Sequence, residues 1–132
     1  MRDIIIQIVR ELLEKNKNIA FAYLFGSFVK EDKYGDIDIG IYLTALPDNV
    51  FVVTSELKHK ISRELAEINI PVVADKIDVL VLNSISFAFL NRIFREGKLI
   101  VDRDPELRTR LIEENSIKFR ECLGLLKEAG MI

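Results

Sequence analysis

The chain lacks a second cysteine, a long apolar run and an excess of either charge sign. Because Cys122 has no partner within the chain, an intramolecular disulfide is excluded, and with it a secreted scaffold that disulfides hold together. No apolar run reaches the roughly 20 residues of a membrane-spanning helix. We therefore expect no membrane association and a cytoplasmic location.

The composition is that of a globular protein without a general affinity for polyanions. The formal net charge of −2 provides no overall attraction to DNA, RNA or anionic membranes. Of the 132 residues, 49% are hydrophobic and 30% are charged, which favours one apolar core. No internal repeat, low-complexity tract or Gly/Ser-rich linker divides the chain, so a single domain over residues 1–132 is expected.

Apolar periodicity predicts alternating helices and strands. Helical spacing indicates four helices, at about residues 4–16, 53–68, 85–96 and 105–129, with Asp3, Ser84 and Asp104 as the caps of the first, third and fourth. Short apolar runs indicate strands at 20–25, 36–43, 77–82 and 98–101. The order α-β-β-α-β-α-β-α predicts an α+β domain, with a small mixed sheet of about four strands and helices packed on it.

The segment 21–43 carries the strongest functional signal, because a strand, a Gly-Ser turn and a second strand with two aspartates follow one another. Asp36 and Asp38 are two residues apart, so in a strand their side chains project from the same face. Two like charges held that close need a cation, and oxygen ligands beside a small backbone loop suit Mg²⁺ that carries a nucleoside triphosphate. The alternative is that both aspartates lie on the solvent face of an edge strand, although aspartate is depleted in strands.

A third carboxylate extends this hypothesis to group transfer. Asp78 is the only acidic residue of the strand 77–82, and it joins the pair if that strand lies beside the strand of Asp36 and Asp38. Nucleotidyl transfer needs metal ions on the phosphate oxygens and a carboxylate that helps to deprotonate the attacking group. Gly26 allows a tight turn against a phosphate, and the Ser27 hydroxyl can donate a hydrogen bond to it.

These residues resemble the minimal nucleotidyltransferase (MNT) branch of the DNA polymerase beta superfamily. A strand that ends in Leu-Phe-Gly-Ser is followed by Asp-Ile-Asp-Ile and then by a single aspartate on a third strand, and REGKLIVDRDP is similar to the ending of that branch. The resemblance covers about residues 20–101, to which the C-terminal helix at about 105–129 is added. It implies the polymerase-beta-like fold, with Asp36, Asp38 and Asp78 as catalytic ligands of two Mg²⁺ ions and ATP as the substrate.

The Gly-Ser loop departs from the pattern of the branch. The usual GSRARG reads GSFVKE here, so that Phe28 and Lys30 replace arginines, and eight residues instead of about ten separate Ser27 from Asp36. Lys30 either meets a phosphate as a point charge or is solvated beside acidic neighbours. Arg92, Arg95 and Lys98 either face the triphosphate as well or form a solvated helix end; these four cations are the candidates for phosphate contact beside Gly26 and Ser27.

Members of the MNT branch commonly pair with a toxin that carries a HEPN domain, a helical RNase. The resemblance implies an antitoxin that transfers AMP from Mg-ATP to a tyrosine of such a toxin. Two alternatives stay open at this point: a catalytically weak module that neutralises its partner by binding, and a transferase for a small molecule such as an antibiotic. Apolar residues on the last helix also leave a homo-oligomer open.

Overall fold

The computed structural model describes all 132 residues and contains a four-stranded sheet with five α-helices. The α+β class predicted from the periodicity is confirmed. None of the helices is both long enough and apolar enough to cross a membrane. In chain order the elements are α1 (Arg2–Glu14), β1 (Ile19–Phe25), α2 (Ser27–Lys30), β2 (Ile37–Leu43), α3 (Val50–Glu67), β3 (Ile77–Val81), α4 (Phe87–Glu96), β4 (Lys98–Asp102) and α5 (Pro105–Glu128).

The sheet is mixed, and its strand order is β3-β2-β1-β4. β1 pairs antiparallel with β2 on one side and with β4 on the other, whereas β2 and β3 are parallel. A parallel pair needs a long crossover, and α3 provides it between β2 and β3. The expectation that the strand of Asp78 lies beside the strand of Asp38 is therefore confirmed.

Helices cover both faces of the sheet, and the central strand β1 is apolar on both sides. Ile37, Ile39 and Ile41 are at most 1% exposed and pack in one core with the apolar residues of α1 and α3. On the opposite face, Phe21 and Tyr23 pack in a second core with residues of α4 and α5. Successive side chains of β2 point to opposite faces, so that one face carries the buried isoleucines and the other carries Asp38 of the site.

Two of the predicted caps are wrong. Asp3 lies in the first turn of α1, and Met1 precedes the helix without a side-chain cap, so the aspartate is adjacent to the helix dipole instead of outside the helix. Ser84 belongs to a short 3₁₀ turn after β3, and the hydroxyl of Ser86 accepts a hydrogen bond of 3.2 Å from the amide of Phe89. Ser84 and Ser86 can both cap a helix, but the 3₁₀ turn after β3 includes Ser84, so α4 begins later and Ser86 caps it.

The remaining element bounds differ from the predictions by a few residues. α3 begins at Val50, earlier than predicted, since Asn49 caps it, and it ends at Glu67, before Pro71. β1 starts one residue earlier than predicted, and β3 and β4 each differ by one residue at their ends. The cap of α5 by Asp104, with Pro105 in the first turn, is confirmed. These shifts leave the order of the predicted elements unchanged, and one short helix, α2, is added.

A side chain continues the pairing of β2 and β3 beyond the last strand residues. The amide group of Asn83 makes two hydrogen bonds of 2.9 Å with the backbone of Leu43, accepting from its N–H and donating to its carbonyl. This pair of bonds reproduces what a further strand residue would form. Asn83 therefore fastens the far end of the two strands that carry the aspartates.

We expect Asn83→Ala to lower the free energy of unfolding by about 1–3 kcal/mol, because both backbone groups of Leu43 would lose a partly buried partner. Urea denaturation of the wild type and the variant measures this. Asn18→Ala is the matched control, since Asn18 makes the same two-bond contact with Ala45 at an exposed position where water replaces it. An equal loss in both variants would contradict a special role of Asn83.

Candidate active site

Gly26 forms the turn between β1 and α2 in a conformation that other residues rarely adopt. Its φ is +74°, and a Cβ atom built on it would overlap the Oδ2 atom of Asp38. The carbonyl of Gly26 accepts hydrogen bonds of 3.2 Å from the amides of Val29 and Lys30, which close the single turn of α2. The segment 27–35, expected to be a loop throughout, thus begins with a helical turn, and the glycine allows the backbone to pass directly over Asp38.

The sheet register places two of the predicted aspartates side by side. Asp38 is opposite Asp78 in the parallel pairing of β2 and β3, and it is opposite Phe25 on the β1 side. Neighbouring strands lie roughly 4.8 Å apart, so the two carboxylates project from the same face at close range. Asp38 is half-buried and Asp78 is exposed.

The expectation that Asp36 belongs to the same strand is wrong. β2 begins at Ile37, and Asp36 follows Gly35 at the end of the connecting loop. A flexible glycine next to a residue of low strand propensity explains the later start of the strand. Asp36 nevertheless acts on Asp38 electrostatically, because its negative charge contributes to the raised pKa of Asp38.

The environment of Asp38 raises the pKa of its carboxyl group above the ordinary value of 3.8. Burial is the largest cause, followed by the charge of Asp78, the charge of Asp36 and a side-chain contact with Asp78. Each of these disfavours the ionised form of Asp38. The three aspartates named from the sequence therefore form one electrostatic unit, with Asp38 at its centre.

The three carboxylates form an oxygen-only donor set, which is the kind that Mg²⁺ prefers. Asp38 and Asp78 are in side-chain contact, but no three His, Cys, Asp or Glu side chains form a metal-binding cluster in this arrangement. The residues fit Mg²⁺ in the chemistry of their ligand atoms and in the position of their backbone. The register places Asp38 beside Asp78, and the raised pKa of Asp38 shows that a nearby positive charge would be favourable. Asp36, at the end of the connecting loop, acts on Asp38 through its charge.

A cavity of about 190 Å³ opens next to Asp38 between α2 and α4. It is polar on one side, where Lys30 and Arg92 lie, and aromatic on another, where the rings of Phe25 and Phe89 meet edge to face at 5.9 Å. A larger cavity of about 600 Å³ between α1 and α3 contains none of the three aspartates. The residues that line the smaller cavity are Phe25, Gly26, Lys30, Asp38, Phe89, Arg92, Ile93 and Glu96.

Lys30 is paired with an acidic residue of α4. Its Nζ atom lies 2.9 Å from the Oε2 atom of Glu96, and the Nε atom of Arg92 lies 3.5 Å from the same oxygen. The hydrogen bond from Lys30 is the main cause that lowers the pKa of Glu96. Of the cations considered from the sequence, Lys30 and Arg92 thus line the cavity, whereas Arg95 and Lys98 do not.

Sequence reasoning missed Glu96 and the aromatic pair as parts of the site. The spacing of Arg92 and Glu96 indicates a local ion pair on a helix, but nothing in the sequence brings Glu96 to Lys30, which is on a different element. Ser27 was named for its hydroxyl, whose oxygen accepts a hydrogen bond of 3.4 Å from the amide of Gly35. This bond joins the two ends of the loop.

The mixed sheet, the glycine turn after β1 and the paired aspartates of β2 and β3 define a nucleotidyltransferase of the polymerase beta class. Residues 7–106 match the model of the family described as polymerase beta, nucleotidyltransferase, and the chain belongs to that family. The resemblance stated from the motifs is thus confirmed at the level of the family. No curated protein matches the chain by sequence.

Solved structures of toxin–antitoxin complexes are similar to this chain. One is a tri-AMPylated HEPN toxin from Shewanella oneidensis in complex with an MNT antitoxin, with a TM-score of 0.65, 18% identity, and 98% of this chain and 95% of that chain covered. A toxin–antitoxin structure with AMP-PNP has a TM-score of 0.66 and 17% identity, with 94% of each chain covered. The toxin–antitoxin MntA-HepT has the same TM-score of 0.66 and 17% identity, over 96% and 94% of the two chains.

We expect Asp38→Asn to stabilise the fold at neutral pH. In the unfolded chain Asp38 titrates near 3.8, and in the fold its pKa is raised, so the folded state binds the proton more tightly. The stability that protonated Asp38 contributes is therefore lost as the pH rises from 3.8 through the raised pKa of the folded state. Above that pKa the ionised carboxylate destabilises the fold. The variant should raise the urea midpoint at pH 7, and the gain should disappear below pH 3.8.

Asp75→Asn is the control for this measurement, since Asp75 is exposed in the turn before β3 and should leave the midpoint unchanged. A midpoint that falls at pH 7 in Asp38→Asn, measured without divalent cations, would show that the charge of Asp38 stabilises the fold and would contradict the electrostatic description.

Proposed function

We propose that the protein is an antitoxin that transfers AMP from Mg-ATP to a tyrosine hydroxyl of a HEPN-type toxin. The observation that carries the proposal is the register that places Asp38 beside Asp78 under the Gly26 turn, next to a cavity with two cationic side chains. Membership of the polymerase beta nucleotidyltransferase family supports the reaction class. The similar structures, one with an AMPylated HEPN toxin and one with AMP-PNP, support the donor and the partner.

In this proposal the three aspartates have different catalytic roles. Asp36 and Asp38 would hold two Mg²⁺ ions, and Asp78 would complete the position nearer the attacking hydroxyl. The bound ions would neutralise phosphate charge. The tyrosine oxygen forms a bond to the α-phosphorus, the bond from that phosphorus to the bridging oxygen breaks, pyrophosphate leaves, and the hydroxyl proton passes to the carboxylate of Asp78.

The exposure of Asp78 supports a protein acceptor. Asp38 is half-buried beneath the Gly26 turn, whereas Asp78, in the edge strand β3, is open to solvent. An acceptor group can therefore approach Asp78 from outside the domain, as a tyrosine on the surface of another protein would.

On the donor side, Gly26, Ser27 and Lys30 would contact the phosphates. The turn at Gly26 brings the backbone against Asp38, and Lys30 lies on the wall of the same cavity. Lys30 would exchange its contact with Glu96 for a phosphate oxygen, because the two anions compete for one ammonium group. Arg92, which shares Glu96, would then be the cation that remains beside this carboxylate.

A second function, neutralisation of a toxin by binding alone, is favoured by one observation. The three aspartates do not form a converged metal cluster, and Glu96 already neutralises Lys30. A module that had lost catalysis would keep the fold and its partner surface, and its aspartates would be dispensable for protection from the toxin.

An incubation of the protein with labelled ATP, Mg²⁺ and the product of the gene next to its own distinguishes the two functions. We expect label on a tyrosine of the partner, and Asp38→Asn and Asp78→Asn should each reduce the rate by at least about 100-fold through loss of metal ligands. Asp75→Asn, three residues before Asp78, is the matched control and should label normally. Tight binding of the partner without any label would favour the binding-only function.

We expect Lys30→Ala to raise KM for ATP about tenfold, which corresponds to about 1.4 kcal/mol, with a smaller change in kcat. Lys33→Ala is the control, because Lys33 is an exposed lysine of the same loop that does not line the cavity. If both variants raised KM equally, the general charge of the loop would be responsible, and the assignment of Lys30 to the phosphates would be wrong.

A further inference from the structure

Arg2, at the start of α1, contacts the loop that joins Ser27 to Asp36. Its Nη2 atom donates hydrogen bonds to the carbonyl oxygens of Glu31, at 2.6 Å, and Asp32, at 3.3 Å. Glu31 directly follows α2, so the guanidinium binds the loop at the point where its helical turn ends. The two ends of this contact are 29 residues apart in the sequence.

Two aromatic rings of the same segment hold the guanidinium. The Cζ atom of Arg2 lies 5.4 Å from the ring centroids of both Phe28 and Tyr34, and the rings themselves meet edge to face at 4.6 Å. Phe28 is fully buried, and the Nε atom of Arg2 is shielded from solvent without a hydrogen-bond partner. A cation in such a partly desolvated position is attracted more strongly to the rings than an exposed cation is.

The loop has little else to hold its second half. α2 is closed by bonds from the amides of Val29, Lys30 and Glu31, but no backbone–backbone hydrogen bond involves residues 32–35. The remaining contacts are the bond of 3.4 Å from the amide of Gly35 to the Ser27 hydroxyl and the packing of Tyr34 against Phe28 and the core. The contacts of Arg2 with two carbonyls and two rings are therefore a large part of what orders this segment.

We infer that Arg2 is a positioning residue that clamps the loop 28–35 and so sets where Ser27 and Asp36 lie relative to Asp38. Arg2 does not line the cavity beside Asp38, so it acts through the loop and not on a ligand. The Nη2 atom of the guanidinium donates to both carbonyls while its Cζ atom lies against the rings, and the single nitrogen of an ammonium group cannot occupy both positions. The effect on catalysis rests on the proposed function, whereas the effect on the loop does not.

Arg2→Met and Arg2→Lys test the clamp, with Arg10→Met and Arg10→Lys as matched controls. Arg10 is on the same helix and also donates to a backbone carbonyl, that of Ile100 in β4 at 3.0 Å, so that it has the same chemistry away from the loop. Hydrogen exchange of the peptide 28–35 measures order in the loop, and KM for ATP and the Mg²⁺ concentration at half-maximal rate measure the site.

We expect both Arg2 variants to speed exchange in residues 28–35 and to raise KM for ATP and the Mg²⁺ requirement about tenfold, with smaller changes in kcat. Lysine should not rescue these effects, because its single ammonium nitrogen cannot occupy both positions. The Arg10 variants should affect exchange in β4 instead and leave the Mg²⁺ requirement at the wild-type value.

The failures of the two proposals are distinguishable. Unchanged exchange in 28–35 in the Arg2 variants would overturn the clamp whether or not the protein is an enzyme. Faster exchange with unchanged KM and Mg²⁺ requirement would overturn the positioning role while the proposed function stands. If the wild type transferred no AMP, the proposed function would fail, and exchange together with Mg²⁺ binding measured by calorimetry would still decide for or against Arg2.

Discussion

The parallel pairing of β2 and β3 holds two carboxylates side by side, and the rest of the structure depends on this constraint. Asp38 and Asp78 are opposite each other, so the strand pairing keeps their carboxylates close, and only a proton or a cation offsets the repulsion while the strands stay paired. The opposite face of β2, with Ile37, Ile39 and Ile41 fully buried against α1 and α3, provides the burial that keeps the strand in this register. A slip of one residue would exchange the isoleucines and the aspartates between the two faces.

The site combines a rigid part and a part that depends on side chains far apart in the chain. The aspartates of β2 and β3 stand on strands whose far end Asn83 secures, and metal ligands on such elements are held well. The Gly-Ser loop, by contrast, has a single helical turn and is held by Arg2 and Glu96, from α1 and α4 respectively. One part therefore rests on sheet geometry and the other on surface cations and anions.

The strands and the partnership of Asp38 with Asp78 could be predicted, because a period of two and a third acidic strand are local signals. The start of β2 could not be predicted. Gly35 and Asp36 both have low strand propensity, and whether such residues join a strand depends on their tertiary contacts. Arg2 and Glu96 leave no local signal at all: each is an ordinary charged residue of a helix end until the fold brings it to the loop.

Glu96 gives the cavity an anion of its own. Its carboxylate joins Lys30 on α2 to Arg92 on α4, so one of the two positive charges is already neutralised before any ligand arrives. An anion that binds there displaces one carboxylate, and its gain is the difference between two ion pairs of similar kind. A ligand with more than one negative charge, such as a phosphate group, therefore binds these cations more strongly than the Glu96 carboxylate does, and a ligand with a single negative charge gains little by displacing it.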